Sequence, residues 1–304
     1  MGQPAKLLDL GEARERLRPQ IERLAHDRID AFSSRRSADL VAEFANPIPV
    51  AVIADLLGVP SEMGTQLADW SHRMVAFYQF GATRAVEERA AEAARAFADY
   101  VRGFARARRS DLGDDLVSQL LIAESDGGKL SEDELIATVI LLLNAGHEAT
   151  VQAMGNGVKT ILEQKVDAHA AFVSEGATLA TVEELLRLDP PLHLFARYAL
   201  EEAEFAGVRL RKGEKIGLLL GAANRDSARF PNPDVFEPAR TPNAHVSFGA
   251  GIHFCVGAPL ARLELAVALP ILFARLPGLR WAGAPRYRDA FHFHGLEALR
   301  VEWA

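Results

Sequence analysis

Phe248-Gly249-Ala250-Gly251-Ile252-His253-Phe254-Cys255-Val256-Gly257 is the stretch on which the reading of this chain turns. Its glycines allow tight turns and a close approach of backbone to a flat ligand. Cys255 is the sole cysteine of 304 residues, so an intrachain disulfide is impossible and the thiol needs another use. Pro259 suits the first turn of a helix. Cys255 lies just ahead of that turn, where free amides and the helix dipole favour a thiolate. A buried thiolate that is not a nucleophile serves best as a metal ligand. His253, two residues away, is placed to pair with an acidic group of a cofactor. The same glycines are not a dinucleotide fingerprint, because Phe254 stands where the third glycine belongs.

Upstream, the first two thirds of the chain reads as helices. Segments 12–32, 61–78 and 83–109 carry apolar residues at helical spacing, while Pro47 and Pro49 are expected to interrupt a helical stretch. Arg106, Arg108 and Arg109 suit a helix C-terminus and read as a solvated face. Residues 125–128, Ser-Asp-Gly-Gly, read as a loop. The best-marked helix opens at Ser131, whose capping box with Glu134 precedes an apolar run. It is expected to reach about Leu162, roughly thirty residues and so ~45 Å. Asn144, Gly146, His147 and Glu148 sit at its middle, where a buried helix tolerates polar groups only for a reason. His147-Glu148 is not a zinc-protease motif, since position 151 is Val.

After Pro190 the pattern changes. Segment 205–220 alternates and is expected to be a hairpin turning at Lys212-Gly213. Segment 224–257 is rich in proline and glycine, and segment 279–303 reads as short strands. The expected fold is therefore mainly α with small β-sheets, in one domain over 1–304. The net charge of -7 and pI ≈ 5.8 argue against a nucleic-acid partner. The first residues lack a signal-peptide core, and the uninterrupted apolar runs are too short to span a bilayer, so no membrane role and a cytoplasmic location are expected.

The cysteine loop resembles the haem-binding loop of the cytochrome P450 family, Phe-Gly-x-Gly-x-His-x-Cys-x-Gly, at every fixed position. The resemblance extends from near Arg14 to the C-terminus and implies a P450-like fold without the family's N-terminal helices and strands. It implies haem b as cofactor, with Cys255 as the axial sulfur ligand to the iron. Phe248, Gly249, Gly251 and Gly257 shape the loop, and Arg197 and His253 are implied propionate partners. The family's helical Glu-x-x-Arg pair matches Glu184 and Arg187 ahead of Pro190-Pro191, and Arg240 in Phe-Glu-Pro-Ala-Arg matches the third member. By itself Glu-x-x-Arg says little, for it occurs five times here.

Ala145-Gly146-His147-Glu148-Ala149-Thr150 resembles the family's oxygen-binding segment. Gly146 then makes room for a diatomic ligand, and Glu148 fits the acidic position used in proton delivery. The departure is Ala149, where most members carry threonine; Thr150 lies ~100° further around the helix. Leu192 to Phe195 and Phe291 to His294 fall where the family lines its substrate pocket; His292 with His294 reads as pocket wall or surface in preference to a metal pair, and His193 as a satisfied core residue in preference to a ligand. The resemblance implies a monooxygenase that inserts one atom of O2 into a small hydrophobic organic substrate. Its electrons come from a ferredoxin-type donor with an NAD(P)H-dependent reductase, meeting the face of Cys255 and Arg262. Two alternatives stay open from the residues: a haem-thiolate peroxygenase or isomerase, and a haem-binding protein impaired by its short N-terminus.

Overall fold

The computed structural model describes residues 10–79, 81–125, 130–290 and 292–304, with side chains from Arg16 onward. The expected loop at 126–128 and the pocket residue Phe291 lie outside them, as do the first nine residues. Helix α1 spans Leu10–Ser33 and is followed by strand β1, Ser37–Asp39. A π-turn over Val41–Ala45 then leads into α2, Pro47–Leu57. Pro47 does not interrupt this helix as expected. It opens it, because the first helical residue needs no amide donor. Helices α3 (Gly64–Val75), α4 (Arg84–Arg108) and α5 (Leu116–Ser125) follow, the last unforeseen. The arginines ending α4 lie at a largely solvated face, as expected, and they also make contacts. Arg108 donates to the Gly58 carbonyl at 2.9 Å, and Arg109 lies 2.6 Å from Glu124.

Helix α6, Glu132–Glu163, has the expected Ser131–Glu134 capping box. By length and composition it could cross a membrane, but half of its most apolar window is buried within the fold. It carries two hydrophobic cores. Leu135, Ile136, Val139 and Leu143 join one with α3, α4 and α5. Val151, Met154, Val158 and Ile161 join the other with α1, α2 and two later helices, α8 (Glu175–Leu188) and α10 (Ala258–Arg275). The polar segment Asn144–Glu148 therefore lies at the seam between the cores. Burial of apolar surface on both sides holds the helix, at ~25 cal/mol per Å², and leaves its centre available for chemistry.

The short α7 (Ala168–Ala171) joins α6 to α8. Strands β2 (Leu194–Tyr198) and β5 (Lys215–Leu219) pair antiparallel, Ala196 opposite Gly217. Between them β3 (Ala203–Phe205) and β4 (Val208–Leu210) form their own hairpin. The hairpin expected over 205–220 is thus wrong in its turn and partner. Ala206 and Gly207 have φ of 51° and 78°, the consecutive positive values of a two-residue turn. The Gly213 amide instead donates to Ala199 at 2.7 Å, steering β5 onto β2. After α9 (Leu220–Ala223) the tail holds β6 (Arg280–Trp281), β7 (Arg286–Tyr287), β8 (Leu296–Ala298) and β9 (Arg300–Glu302). Strand β9 lies between β1 and β6.

Glu184 and Arg187 tie this framework together. Arg187 is fully buried and donates from Nε and Nη2 to the two Glu184 oxygens, both at 2.8 Å. Its other donors reach the carbonyls of Asn224, Pro233 and Val235 at 2.8–3.2 Å. Arg240 Nε donates to Glu184 at 3.2 Å, and its Nη1 reaches Pro231 O at 2.7 Å. The Glu237 amide and Asn243 side chain complete the carboxylate's shell at 2.9 and 3.1 Å. Loss of one member leaves the other buried and uncompensated, which costs ~3–5 kcal/mol, against a net stability of ~5–15 kcal/mol. Arg187→Ala is therefore expected to abolish soluble folded protein or lower its melting temperature steeply, as read by circular dichroism. Unchanged melting would contradict the assigned role.

Candidate active site

The loop bearing Cys255 is stitched to α8 by side chains that the sequence pattern did not reveal. Asn224 donates from Nδ2 to Ser247 Oγ at 2.8 Å and accepts from the Val246 amide at 2.8 Å. Ser247 in turn donates to the Leu186 carbonyl at 2.7 Å. Arg262 on α10 makes a two-pronged contact with Glu183 at 2.5 and 2.8 Å, and His245 Nε2 lies 3.0 Å from the same carboxylate. The Arg262 guanidinium also stacks 4.4 Å over the Phe248 ring. Arg262 thus braces the loop on the face expected to meet the electron donor. The adjacent pair Glu183-Glu184 was the available signal: one carboxylate serves each arginine network.

Gly249 and Gly251 have φ of 71° and 68°, so the loop needs glycine at both positions. The Cys255 amide donates to the Phe248 carbonyl at 2.9 Å, closing the turn. Cys255 is reachable from solvent, and the Gly257 and Ala258 amides point at its sulfur. The net effect is nevertheless opposite to the expected lowering. Loss of hydration pushes the thiol above its ordinary value, outweighing those two amides and the Arg262 charge.

Apolar side chains stand unusually open around this sulfur. Ile252 is 96% exposed, with Phe254 and Val256 about half exposed. Leu141, Ala145 and Ala149, spaced four apart along α6, are likewise exposed or half-buried. Open apolar surface of this kind marks a ligand site. His253 is exposed and Arg197 half-buried, its guanidinium near Phe195 and the Ala196 carbonyl. Among the described residues neither side chain is paired with a carboxylate. A thiol, a glycine-turned apolar loop, an arginine and a histidine without carboxylate partners fit a flat, apolar, iron-bearing group that carries carboxylates.

The oxygen-site residues are arranged differently from expectation. A methyl at Gly146 would stand 2.8 Å from Ile53 of α2, so the close approach this glycine permits is between helices. Thr150 is buried, and its hydroxyl donates to the Gly146 carbonyl at 3.4 Å, which ties it to its own helix. Glu148 is buried beside two histidines: His72 Nε2 of α3 lies 3.2 Å away and His147 Nε2 3.6 Å. Burial alone would raise the Glu148 pKa, but His147, His72 and Arg288 together bring it below the ordinary carboxylate value. His72 is half exposed and its pKa is lowered, chiefly by loss of hydration. Nothing in the sequence spacing linked His72 to Glu148, since 76 positions separate them.

The expected pocket wall divides in two. Phe195 and His292 meet, ring centres 5.3 Å apart, and Tyr78 contacts His292 at the same distance. His193 and His294 turn elsewhere. Their rings stack 3.8 Å apart, His294 bonds Asp189 at 3.1 Å, and Tyr287 donates to Asp189 at 2.7 Å. Together they line a separate cavity of about 340 Å³.

The Glu183 cluster yields an acid-stability expectation. Burial raises the Glu183 pKa, but Arg262 and His245 more than reverse this and hold it at about 2. A depressed carboxylate stabilises the fold above its ordinary value near 4.5 and loses that contribution as pH falls toward 2. The melting temperatures of wild type and Glu183→Gln should differ most above pH 4.5 and converge on acidification. A gap constant down to pH 2.5 would contradict this.

Comparison with known proteins agrees with this geometry. The family profile described as Cytochrome P450 matches residues 177–276. The polyketide biosynthesis cytochrome P450 PksS of Bacillus subtilis (strain 168) is 38% identical over 291 residues, 94% of this chain and 71% of that protein. The mycinamicin IV hydroxylase/epoxidase of Micromonospora griseorubida is 39% identical, covering 95% of this chain and 73% of its own. Among solved structures, P450BioI in complex with an acyl carrier protein ligated to hexadec-9Z-enoic acid superposes with a TM-score of 0.93 at 35% identity, over 100% of this chain and 81% of that one. A mainly helical fold of this similarity, carrying its lone cysteine in the haem-loop pattern, leads to one conclusion: this chain belongs to the cytochrome P450 family and is a haem-thiolate monooxygenase.

Proposed function

We propose that the chain inserts one atom of O2 into a small hydrophobic organic substrate, in the cytoplasm, with electrons from a ferredoxin-type protein and its NAD(P)H-dependent reductase. The observation that carries the substrate class is the open apolar surface of Leu141, Ala145 and Ala149 on α6, together with Phe195 and Tyr78. The single cysteine cannot serve both the haem iron and an iron–sulfur cluster, which supports electrons arriving from a separate protein.

When bound, the haem supplies oxygen activation, and its thiolate ligand favours O–O cleavage. Each turnover takes two electrons and two protons, one oxygen atom leaving as water. In this reading Cys255 would hold the iron, Gly249, Gly251 and Gly257 would shape the loop for it, and Arg197 and His253 would pair with the propionates. Phe248, braced by Arg262, backs the loop, and Ala145 would contribute apolar surface to the haem site. Glu148 holds and delivers protons, with half-exposed His72 as its link to solvent. Thr150 acts only through the helix backbone, and Gly146 sets the spacing of α2 and α6.

A peroxide-driven reaction is the second reading. It is favoured by the Ala149 methyl and by the tied Thr150 hydroxyl, which leave no free alcohol at the usual position.

Reduced wild-type protein under carbon monoxide should give the red-shifted Soret band of a thiolate-bound haem, and Cys255→Ser should lose it. Glu148→Gln removes the acid at constant shape, so product formation should fall by ~10²–10⁴, the usual worth of general-acid help, with the haem spectrum kept. The decisive quantity is product formed per NADH consumed. Equal turnover with hydrogen peroxide alone would install the second reading, and unchanged turnover in Glu148→Gln would remove the proton role.

A further inference from the structure

His72, His147 and Glu148 converge where α3 crosses the centre of α6. The Glu148 oxygen Oε1 lies 3.2 Å from His72 Nε2 and 3.6 Å from His147 Nε2, and the three donor atoms fall within 4.8 Å of one another. His147 Nδ1 lies 2.9 Å from the Leu143 carbonyl. A carbonyl only accepts, so Nδ1 carries a hydrogen, and Nε2 is the ring atom left to face Glu148. Both His147 Nε2 and Glu148 Oε1 are buried without a hydrogen-bond partner. Buried polar atoms without partners are unfavourable, and a cation held between these two satisfies both.

The two distances from Glu148 suit such an ion. A tetrahedral zinc with bonds of ~2.0–2.2 Å holds its donors roughly 3.3–3.6 Å apart. The Leu143 carbonyl supplies the outer contact that orients a metal-bound imidazole. His72, 40% exposed, gives an entry route and leaves a fourth position for water. Asp69 on α3 adds favourable charge and Arg288 opposes it. The second cluster of similar composition, Asp189, His193 and His294, is less suited. Its imidazoles stack 3.8 Å apart and 17° from parallel, so their in-plane lone pairs do not meet at one ion, and Lys159 lies 4.0 Å from the carboxylate.

We propose that His72, His147 and Glu148 form a binding site for a zinc-like divalent transition-metal ion, held by two imidazole nitrogens and one carboxylate oxygen. A consequence, which rests on the proton role proposed for Glu148, is that the bound ion withdraws that carboxylate from proton delivery and represses oxygenation.

Equilibrium dialysis of haem-loaded, chelator-stripped protein against Zn²⁺, with metal counted by mass spectrometry, tests the site. Wild type should bind a single ion. His72→Ala, a change at a half-exposed position, should weaken binding by at least ~10-fold, as loss even of an outer contact can, and should leave the carbon monoxide spectrum unaltered. His294→Ala should bind zinc as wild type does. Equal binding by His72→Ala, or loss in His294→Ala alone, overturns the site. Zinc should also lower product per NADH in wild type more than in His72→Ala. If zinc binds through His72 without affecting oxygenation, the site stands and the proton role of Glu148 falls.

Discussion

The carboxylate of Glu184 is the point on which the iron-side half of the molecule depends. Segment 224–257 is nearly without regular structure, so its backbone carbonyls lack the partners that a helix or sheet would provide. Arg187 and Arg240 supply donors to five of these residues: Asn224, Pro231, Asn232, Pro233 and Val235. Two guanidinium groups could not be buried together unless an anion sat between them, and Glu184 is that anion. A salt bridge of this kind is a poor source of net stability. Its worth is geometric: it gives an irregular loop one conformation and so fixes where Cys255 stands.

The second constraint is the two-core arrangement around α6. A helix buried on one apolar stripe would be broken by Asn144, His147 and Glu148. Here the apolar packing is split between its ends, and the polar middle falls where neither core needs it. Helix α2 then approaches closely enough at Gly146 that any larger residue would meet Ile53. The site is thus positioned by contacts outside it, while its own polar atoms remain incompletely satisfied.

What was legible in the sequence was local. The glycines around Cys255, the Ser131–Glu134 box and the Glu184–Arg187 spacing each state a requirement of a few neighbouring residues, and each appears in the structure as read. What was illegible was pairing at a distance. Alternation over 205–220 suggested a hairpin, yet strand partners are chosen by the whole sheet, and β5 found β2. The contact of Gly146 with Ile53 of α2 was invisible because 93 positions separate them. The bracing role of Arg262 was invisible because Glu183 is 79 positions away. The stacking of His193 on His294 was hidden because it depends on a chain reversal that no local pattern encodes.

The departure at Ala149 takes on meaning only in three dimensions. In the sequence, Thr150 invites the idea of a hydroxyl displaced by one residue. The structure ties that hydroxyl to the Gly146 carbonyl, the ordinary use of threonine inside a helix. No alcohol on this turn is then free to hold a proton or a water. The polar groups that remain are Glu148 and the two imidazoles facing it, one buried and one reaching solvent. On the proposed reading, the same three atoms set both the supply of protons and its weakness, because a carboxylate flanked by imidazole nitrogens suits a metal ion as well as a proton. A threonine-bearing relay could pass protons along hydroxyls and water that a soft metal ion ignores. Exchanging the hydroxyl for a methyl therefore confines proton traffic to groups that are also good metal ligands.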